Sequence, residues 1–396
     1  MRVNLYDKNM EQEKWLTVPL VAISSISFWG ALIYWFYSLN IYGIIIISIL
    51  SLLSLVIFYL LFRPSSDISL ELSPRIRHLF YPQNYSRYLL LLGGMYLVVT
   101  AGCFYILISS RTAEAIVSPW QPVPTLFFLF YTLATVLLLA VIYFKPKLSL
   151  FFIILHYFLS FSVALIVYKI GYGFDPFIHQ ATMELIDKKG AVEPKPYYYL
   201  GQYALIIFFH KLTLIPLSLL NKVLVPVVGA IFLPILGLRF LDKWFGDKKL
   251  GLYLLIFLLI LPFSFLIMTT PQNLSYIFLV VTLFFGLSLN SKKELWLVYL
   301  FALATASVHP LTGIPAFLFT LLLTVHYSGL RLRLRKYIYI LFFLFSSLAL
   351  PASFYLLNRL QPDKEVSLQP RGIKNMISST LGDTQQREPY PEFYLF

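Results

Sequence analysis

Residues 171–180 read Gly171-Tyr-Gly-Phe-Asp-Pro-Phe-Ile-His-Gln180, a polar stretch in a chain made mostly of apolar segments. An Asp-Pro pair is typical of a helix start, because Asp accepts hydrogen bonds from free N–H groups and Pro fits the first helical position. Apolar side chains then recur with a helical period as far as Lys189, and Gly190 is placed to end the helix. The stretch predicts a short amphipathic helix, capped by Asp175, at a membrane face.

The composition around this stretch indicates a membrane protein. Of the 396 residues, 59% are hydrophobic and 12% are charged, and soluble proteins carry about twice that charged share. Long apolar runs recur at the length that a helix needs to cross a bilayer, and they lack the alternation of barrel strands. The predicted fold class is an all-α, polytopic helical membrane protein with about eleven transmembrane helices.

The formal net charge is +13, but the basic residues lie in short loops between apolar runs, so they indicate membrane orientation and no nucleic-acid partner. With the N-terminus in the cytoplasm, the basic loops all fall on the cytoplasmic side. These loops are Arg63–Arg87, Lys145–Lys147, Arg239–Lys249, Asn290–Glu294 and Ser328–Lys336. The assignment requires that Tyr197–His210 does not cross the bilayer, since a crossing there would move the last cluster outside.

Three polar segments then share the outer side of a cell membrane. They are the loop Asp175–Lys195, the turn Thr269–Asn273 and the turn His309-Pro310. The single Cys103 lies in an apolar run, so the chain has no internal disulfide framework. Candidate chemistry is therefore expected to face outward.

Asp175 has two compatible interpretations, a helix cap or a general base that takes a proton from an acceptor group. His179 follows one turn later on the same helix face, where it either binds the loop backbone, holds a phosphate or transfers a proton. Lys169 either reaches lipid headgroups or binds a lipid-linked phosphate. The remaining polar and aromatic candidates are predicted substrate contacts with ordinary structural alternatives. They are Tyr198, Tyr199, Gln202, Thr270, Gln272, Asn273 and His309.

A family resemblance rests on two segments, Phe174-Asp-Pro-Phe-Ile-His-Gln-Ala-Thr-Met-Glu-Leu185 and Tyr198-Tyr-Leu-Gly201. Together they resemble the first outer loop of the catalytic subunit of oligosaccharyltransferase. More broadly, they are similar to the GT-C superfamily of membrane glycosyltransferases, which includes protein O-mannosyltransferases. The resemblance implies transfer of a sugar from a polyprenyl-phosphate carrier to an outer glycan, lipid or protein acceptor, with Asp175 as the matching acid.

The resemblance covers roughly residues 148–357, with the outer loop at 171–197. It implies that residues 1–147 form an added four-helix membrane segment and that residues 358–396 form an outer tail, at a point where relatives commonly continue with more spans, so a truncated chain is expected. The family's second outer loop carries acids that help to bind a divalent metal, whereas Thr269–Asn273 contains no acid. This departure disfavours a divalent metal, and no cofactor is predicted.

Two other functions stay open at this point. A transporter or flippase for lipid-linked glycans is the main alternative, and a catalytically inactive scaffold is the second. Transporters often show internal repeats and charges at mid-membrane depth, and this sequence shows few such charges and no clear repeat. The sequence therefore favours a glycosyltransferase whose partners are membrane lipids, a lipid-linked sugar donor and an acceptor.

Overall fold

The structure is a computed structural model that describes residues 3–61, 87–144, 149–259 and 266–360. In these ranges the regular secondary structure is helical, with one isolated bridge between Thr112 and Tyr168 and one 3-10 turn at Lys292–Glu294. The α-helices are α1 (Val3–Phe36), α2 (Ile41–Leu61), α3 (Arg87–Ser109), α4 (Leu126–Phe144), α5 (Ser149–Phe161), α6 (Val163–Val167), α7 (Asp175–Lys189), α8 (Leu200–Thr213), α9 (Leu217–Phe245), α10 (Lys248–Leu258), α11 (Pro271–Leu287), α12 (Leu295–Val308), α13 (Pro310–Tyr327) and α14 (Leu332–Leu360).

Six helices of the described ranges are long and apolar enough to cross a membrane. They are Thr17–Phe36 of α1, Leu91–Ser109 of α3, and the whole of α2, α4, α9 and α13. The chain is therefore a helical membrane protein, but the eleven predicted crossings are not confirmed. The apolar run Leu148–Ile170 is long enough for the sequence to predict one crossing, but within its described part Ser162 separates α5 from α6.

The ends of the helices follow local sequence signals. Gly246 ends α9 with a φ of 65°, a left-handed conformation that glycine adopts without strain. Asp247 then begins α10, because its carboxylate accepts hydrogen bonds from the N–H groups of Lys249 at 2.8 Å and Leu250 at 3.2 Å. Two adjacent residues thus end one helix and start the next.

Two compact units divide the chain at Tyr339 and Ile340. In the first unit, α1 packs against α2, α8 and α12, and α9 packs against α5, α10 and α11. The packing therefore does not separate residues 1–147 from the rest, and the added four-helix segment stays a prediction from the resemblance. The second unit contains the C-terminal part of α14, and the tail from residue 361 onward lies outside the described residues.

Several turns of the first unit gather at one end of the bundle, which we call the loop end. Gly190, after α7, accepts a hydrogen bond from the N–H of Leu39, after α1, at 2.8 Å. Asn221 near the start of α9 donates to the carbonyl oxygen of Pro176 at 3.0 Å. The N–H of Val225 donates to Thr269 at 3.1 Å, which adds the turn before α11.

The opposite end carries the basic turns. Arg239 near the end of α9 forms an ion pair with Glu294 at 2.7 Å, and Lys243 donates to the carbonyl oxygen of Leu289. The ammonium of Lys249 lies 3.9 Å from the ring centre of Tyr143 near the end of α4. The loop end and the basic end are thus distinct, as the loop charges predict. The basic segments 63–86 and 145–147 lie outside the described residues.

Helix α8 begins and ends at the loop end. It runs beside α7 in the same direction, because His179 contacts Tyr203 and, eight positions further along both helices, Asp187 contacts Lys211. Its 14 residues are also short for a crossing. However, residues 200–208 are all buried, so α8 lies inside the protein rather than on its surface.

Candidate functional site

Asp175 lies at the start of α7 but does not cap it, so the predicted capping role is wrong. The cap position is Phe174, whose backbone is already helical with φ −86° and ψ −44°, and no side-chain cap hydrogen bond forms. A capping residue needs a non-helical backbone for its side chain to turn back onto the N–H groups, and Asp175 is already in the first helical turn. Pro176 lies in the first turn, one position later in the helix than predicted, and Gly190 ends the helix as predicted.

The Asp175 carboxylate is exposed and makes no hydrogen bond or ion pair with the described residues. Its position in the first turn is favourable for a negative charge, because the N–H groups there carry positive partial charge. It also acts on His179 one turn later, since its charge raises the pKa of that imidazole. Asp175 is therefore an accessible carboxylate whose known neighbour is an imidazole.

His179 is half-buried between α7 and α8. Its Nδ1 lies 2.7 Å from the hydroxyl oxygen of Tyr203, which is 4% exposed. Burial lowers the pKa of His179, and Asp175 partly opposes that shift. The imidazole is thus favoured in its neutral form near pH 7, with one ring nitrogen held by a buried phenol.

The ring of Tyr199 lies between two imidazoles. Its centroid is 5.0 Å from that of His179, with the rings at 74°, and 5.8 Å from that of His309, with the rings at 34°. Tyr199 also has a φ of 74°, a left-handed conformation that costs a non-glycine residue about 1–2 kcal/mol. Such strained residues are common at functional sites. His309, Tyr199 and His179 therefore form one cluster, which we call the imidazole cluster.

His309 connects this cluster to the turn before α11. Its Nδ1 lies 3.3 Å from the Thr312 hydroxyl, and Ser275 donates to the same hydroxyl at 3.0 Å. Burial lowers the pKa of His309. In the first turn of α11, Gln272 is exposed and donates to the hydroxyl of Tyr276 at 2.7 Å. This hydroxyl chain brings the predicted second and third outer turns together.

Other predicted contacts have structural tasks or lie apart from the cluster. Thr270 caps α11 by accepting from the N–H of Asn273 at 3.2 Å, and the Asn273 amide donates to the carbonyl oxygen of Met268 at 3.0 Å. Tyr198 is exposed beside Tyr199. Gln202 is 0% exposed, and its amide has no hydrogen-bond partner within the described ranges, so it does not open onto the outer surface.

Lys169 is exposed and precedes α7 in the chain, and its backbone lies next to Lys222 of α9. Its carbonyl oxygen accepts from the ammonium of Lys222 at 2.7 Å, and its N–H donates to Thr112 at 3.0 Å. Lys222 and Asn221 line a small pocket together with Pro176 and Thr269, and the Asn221 side-chain oxygen is buried without a partner in the described residues.

The sequence reasoning missed three of these residues. The tyrosines at positions 197, 198, 199 and 203 are typical of an aromatic belt at a membrane interface, whereas the hydroxyl of Tyr203 lies beside His179 in a buried position. Asn221 and Lys222 sit at the start of a predicted crossing and carry no motif. The signal that could have marked them is an adjacent Asn-Lys pair in the second turn of an otherwise apolar helix.

Comparisons with protein families, with curated proteins and with solved structures found no match to this chain. The likeness to GT-C glycosyltransferases therefore stays a resemblance of short motifs. The described residues also contain no group of three His, Cys, Asp or Glu side chains that could hold a metal ion.

Proposed function

We propose that the protein is a membrane glycosyltransferase that moves a sugar from a polyprenyl-phosphate donor to an acceptor. The proposal places the N-terminus in the cytoplasm and the loop end outside the cell membrane, as the loop charges favour. The observation that carries it is the exposed Asp175 carboxylate, which is not used as a cap and lies beside the imidazole cluster.

The reaction needs one general base, which must lie on the side of the sugar from which the acceptor molecule approaches. In the proposed step, Asp175 takes the proton of an acceptor hydroxyl or amide while that oxygen or nitrogen forms a bond to the anomeric carbon. The bond from the anomeric carbon to the phosphate oxygen breaks, and its electron pair leaves with the phosphate. Atoms and charge balance without an oxidant or a reductant.

The first test measures sugar transfer by Asp175→Asn. The substitution keeps the size of the side chain and removes the base, so we expect the rate to fall by about 10²–10⁴-fold. Because Asp175 makes no cap hydrogen bond, folding and membrane insertion should be unchanged. Membranes that contain the protein would be given labelled sugar on short polyprenyl phosphates, and label transferred to lipid-extract acceptors would be counted.

The matched control is Glu184→Gln, on the same helix. Glu184 accepts a hydrogen bond from Gln180 at 2.9 Å, which the amide oxygen of Gln preserves. Asp187 is a poor control, because it forms an ion pair with Lys211 at 2.6 Å and its loss would disturb the packing of α7 on α8. Equal rates for wild type and both variants at matched expression would exclude Asp175 as the base. Movement of the donor across vesicles without any transfer would favour the flippase.

A further inference from the structure

We propose that Tyr203 is a positioning residue that holds His179 as a hydrogen-bond donor, so that Nε2–H of His179 contacts a phosphate oxygen of the sugar donor. This inference rests on the proposed function. It assigns the two polar groups of α7 to opposite sides of the reaction, with Asp175 as the base and His179 as the contact to the phosphate.

The direction of the hydrogen bond between Tyr203 and His179 decides the tautomer. A neutral imidazole has one donor nitrogen and one acceptor nitrogen, and a phenol has a single proton to donate. Tyr203 is 4% exposed, so its proton needs an acceptor inside the protein, and leaving it without one costs about 1–3 kcal/mol. Nδ1 of His179 lies 2.7 Å away.

Thr182, Tyr199 and Tyr34 are the other polar side chains that act on the phenol, and the proton of Thr182 is donated to the carbonyl oxygen of Ile178 at 3.0 Å. The imidazole nitrogen is more basic than a hydroxyl oxygen, so it is the stronger acceptor for the proton of Tyr203. The phenol therefore donates to Nδ1 of His179, and the ring proton resides on Nε2.

Nε2 has no hydrogen-bond partner in the part of the chain that the structure describes. As a donor it selects an oxygen acceptor, and hydrogen bonds to an ionised oxygen are roughly twice as strong as neutral ones. Two helix N-termini lie at the imidazole cluster opposite the charge of Asp175, because Tyr199 and His309 directly precede α8 and α13 and no side chain caps either helix. Helix N-termini carry positive partial charge that favours an anion, and in α13 the first backbone N–H is that of Leu311 because Pro310 has none.

The nearby Asp175 is consistent with this division. A transferase needs a base for the acceptor and a hydrogen-bond donor for the departing phosphate within one site, and the two must flank the anomeric carbon. His179 would form its hydrogen bond to the phosphate oxygen without transferring a proton, so the balance of the proposed reaction is unchanged.

The tautomer is measured by NMR on the full chain with ¹⁵N-labelled histidine in lipid nanodiscs, and His179→Gln assigns the signals. We expect a protonated Nε2 and an unprotonated Nδ1 for His179. In Tyr203→Phe the two ¹⁵N signals should move toward those of mixed tautomers. Tyr157→Phe is the matched control, because it removes a phenol that is equally buried and donates to the carbonyl oxygen of Leu255 at 2.6 Å. A protonated Nδ1 in the wild type would overturn the proposal.

Binding is measured with geranyl phosphate, inorganic phosphate and geraniol. We expect geranyl phosphate to shift the Nε2 signal and Tyr203→Phe to weaken its binding about tenfold, as the loss of one hydrogen bond to an ion predicts. Tyr157→Phe should bind as the wild type does. If inorganic phosphate bound as tightly as geranyl phosphate, the site would be one for free phosphate. If geraniol bound as tightly as geranyl phosphate, a contact to the phosphate would be refuted.

These outcomes separate the inference from the proposed function. If the tautomer is reversed while Asp175→Asn still abolishes transfer, only the role of His179 and Tyr203 fails. If Asp175→Asn transfers normally, the proposed function fails whatever tautomer His179 adopts.

Discussion

The ion pair between Arg239 and Glu294 is predicted to be the strongest single polar contact at the basic end. Their side chains are 10% and 9% exposed, and the guanidinium and carboxylate atoms lie 2.7 Å apart. Glu294 also accepts from the N–H of Asn290 at 3.1 Å. Glu294→Ala removes the acceptor from both groups, and the buried guanidinium keeps the Ser288 carbonyl oxygen and the Phe285 ring but loses this carboxylate, so we expect the free energy of unfolding to fall by about 3–5 kcal/mol.

A second ion pair tests whether the expected loss of stability depends on the burial of the charges or on the distance between them. Asp187 and Lys211 lie 2.6 Å apart, but their side chains are 19% and 22% exposed. Asp187→Ala should therefore cost only about 1 kcal/mol, because water can still solvate the remaining charge. Unfolding would be titrated with sodium dodecyl sulfate in mixed micelles and followed by circular dichroism.

The double variant Arg239→Leu with Glu294→Leu completes the test. Replacing both charges by apolar groups removes the cost of burying the Arg239 charge without the Glu294 carboxylate, so the double variant should be more stable than Glu294→Ala. A cost for Asp187→Ala equal to that of Glu294→Ala would refute the argument from burial. A double variant that is less stable than Glu294→Ala would refute the argument that the loss of the carboxylate beside the buried Arg239 charge causes the destabilisation.

Two further predictions concern the loop end. Leu214 follows α8 with a φ of 60°, so Leu214→Gly should raise the free energy of unfolding by about 1 kcal/mol, whereas Leu212→Gly within the helix should lower it by about as much. The same detergent titration measures both variants. If both substitutions changed stability in the same direction, the left-handed backbone of Leu214 would be excluded as the cause. Burial lowers the pKa of His179 below its usual 6.5, so as the pH falls the unfolded chain takes up a proton at this residue before the folded chain does. The free energy of unfolding should therefore be independent of His179 above pH 6.5 and should decline as the pH falls toward the pKa of the folded state. His179→Gln should flatten that decline in melting curves recorded between pH 7 and 5, and an unchanged slope would contradict it.

Local sequence signals predicted the helix at the loop end well. Pro176 and Gly190 mark its first turn and its end as expected, because both residues act through their own backbone conformation. Asp175 was misplaced by one position, since a capping side chain depends on whether the residue before it is already helical. Phe174 is helical here, and nothing in its side chain signals that.

Apolar length and loop charge determined by themselves that the chain is a helical membrane protein and that its polar turns lie apart from its basic turns. These properties depend on residues near one another in sequence, because each membrane-spanning segment must be long and apolar enough to cross the bilayer and must form its backbone hydrogen bonds within its own helix. Tertiary structure alone decided that the Tyr203 phenol meets His179, that Tyr199 lies between two imidazoles, and that Gln202 is buried. Those contacts depend on how α7, α8 and α13 pack, and side chains of the same type are exposed or buried according to neighbours that are distant in sequence.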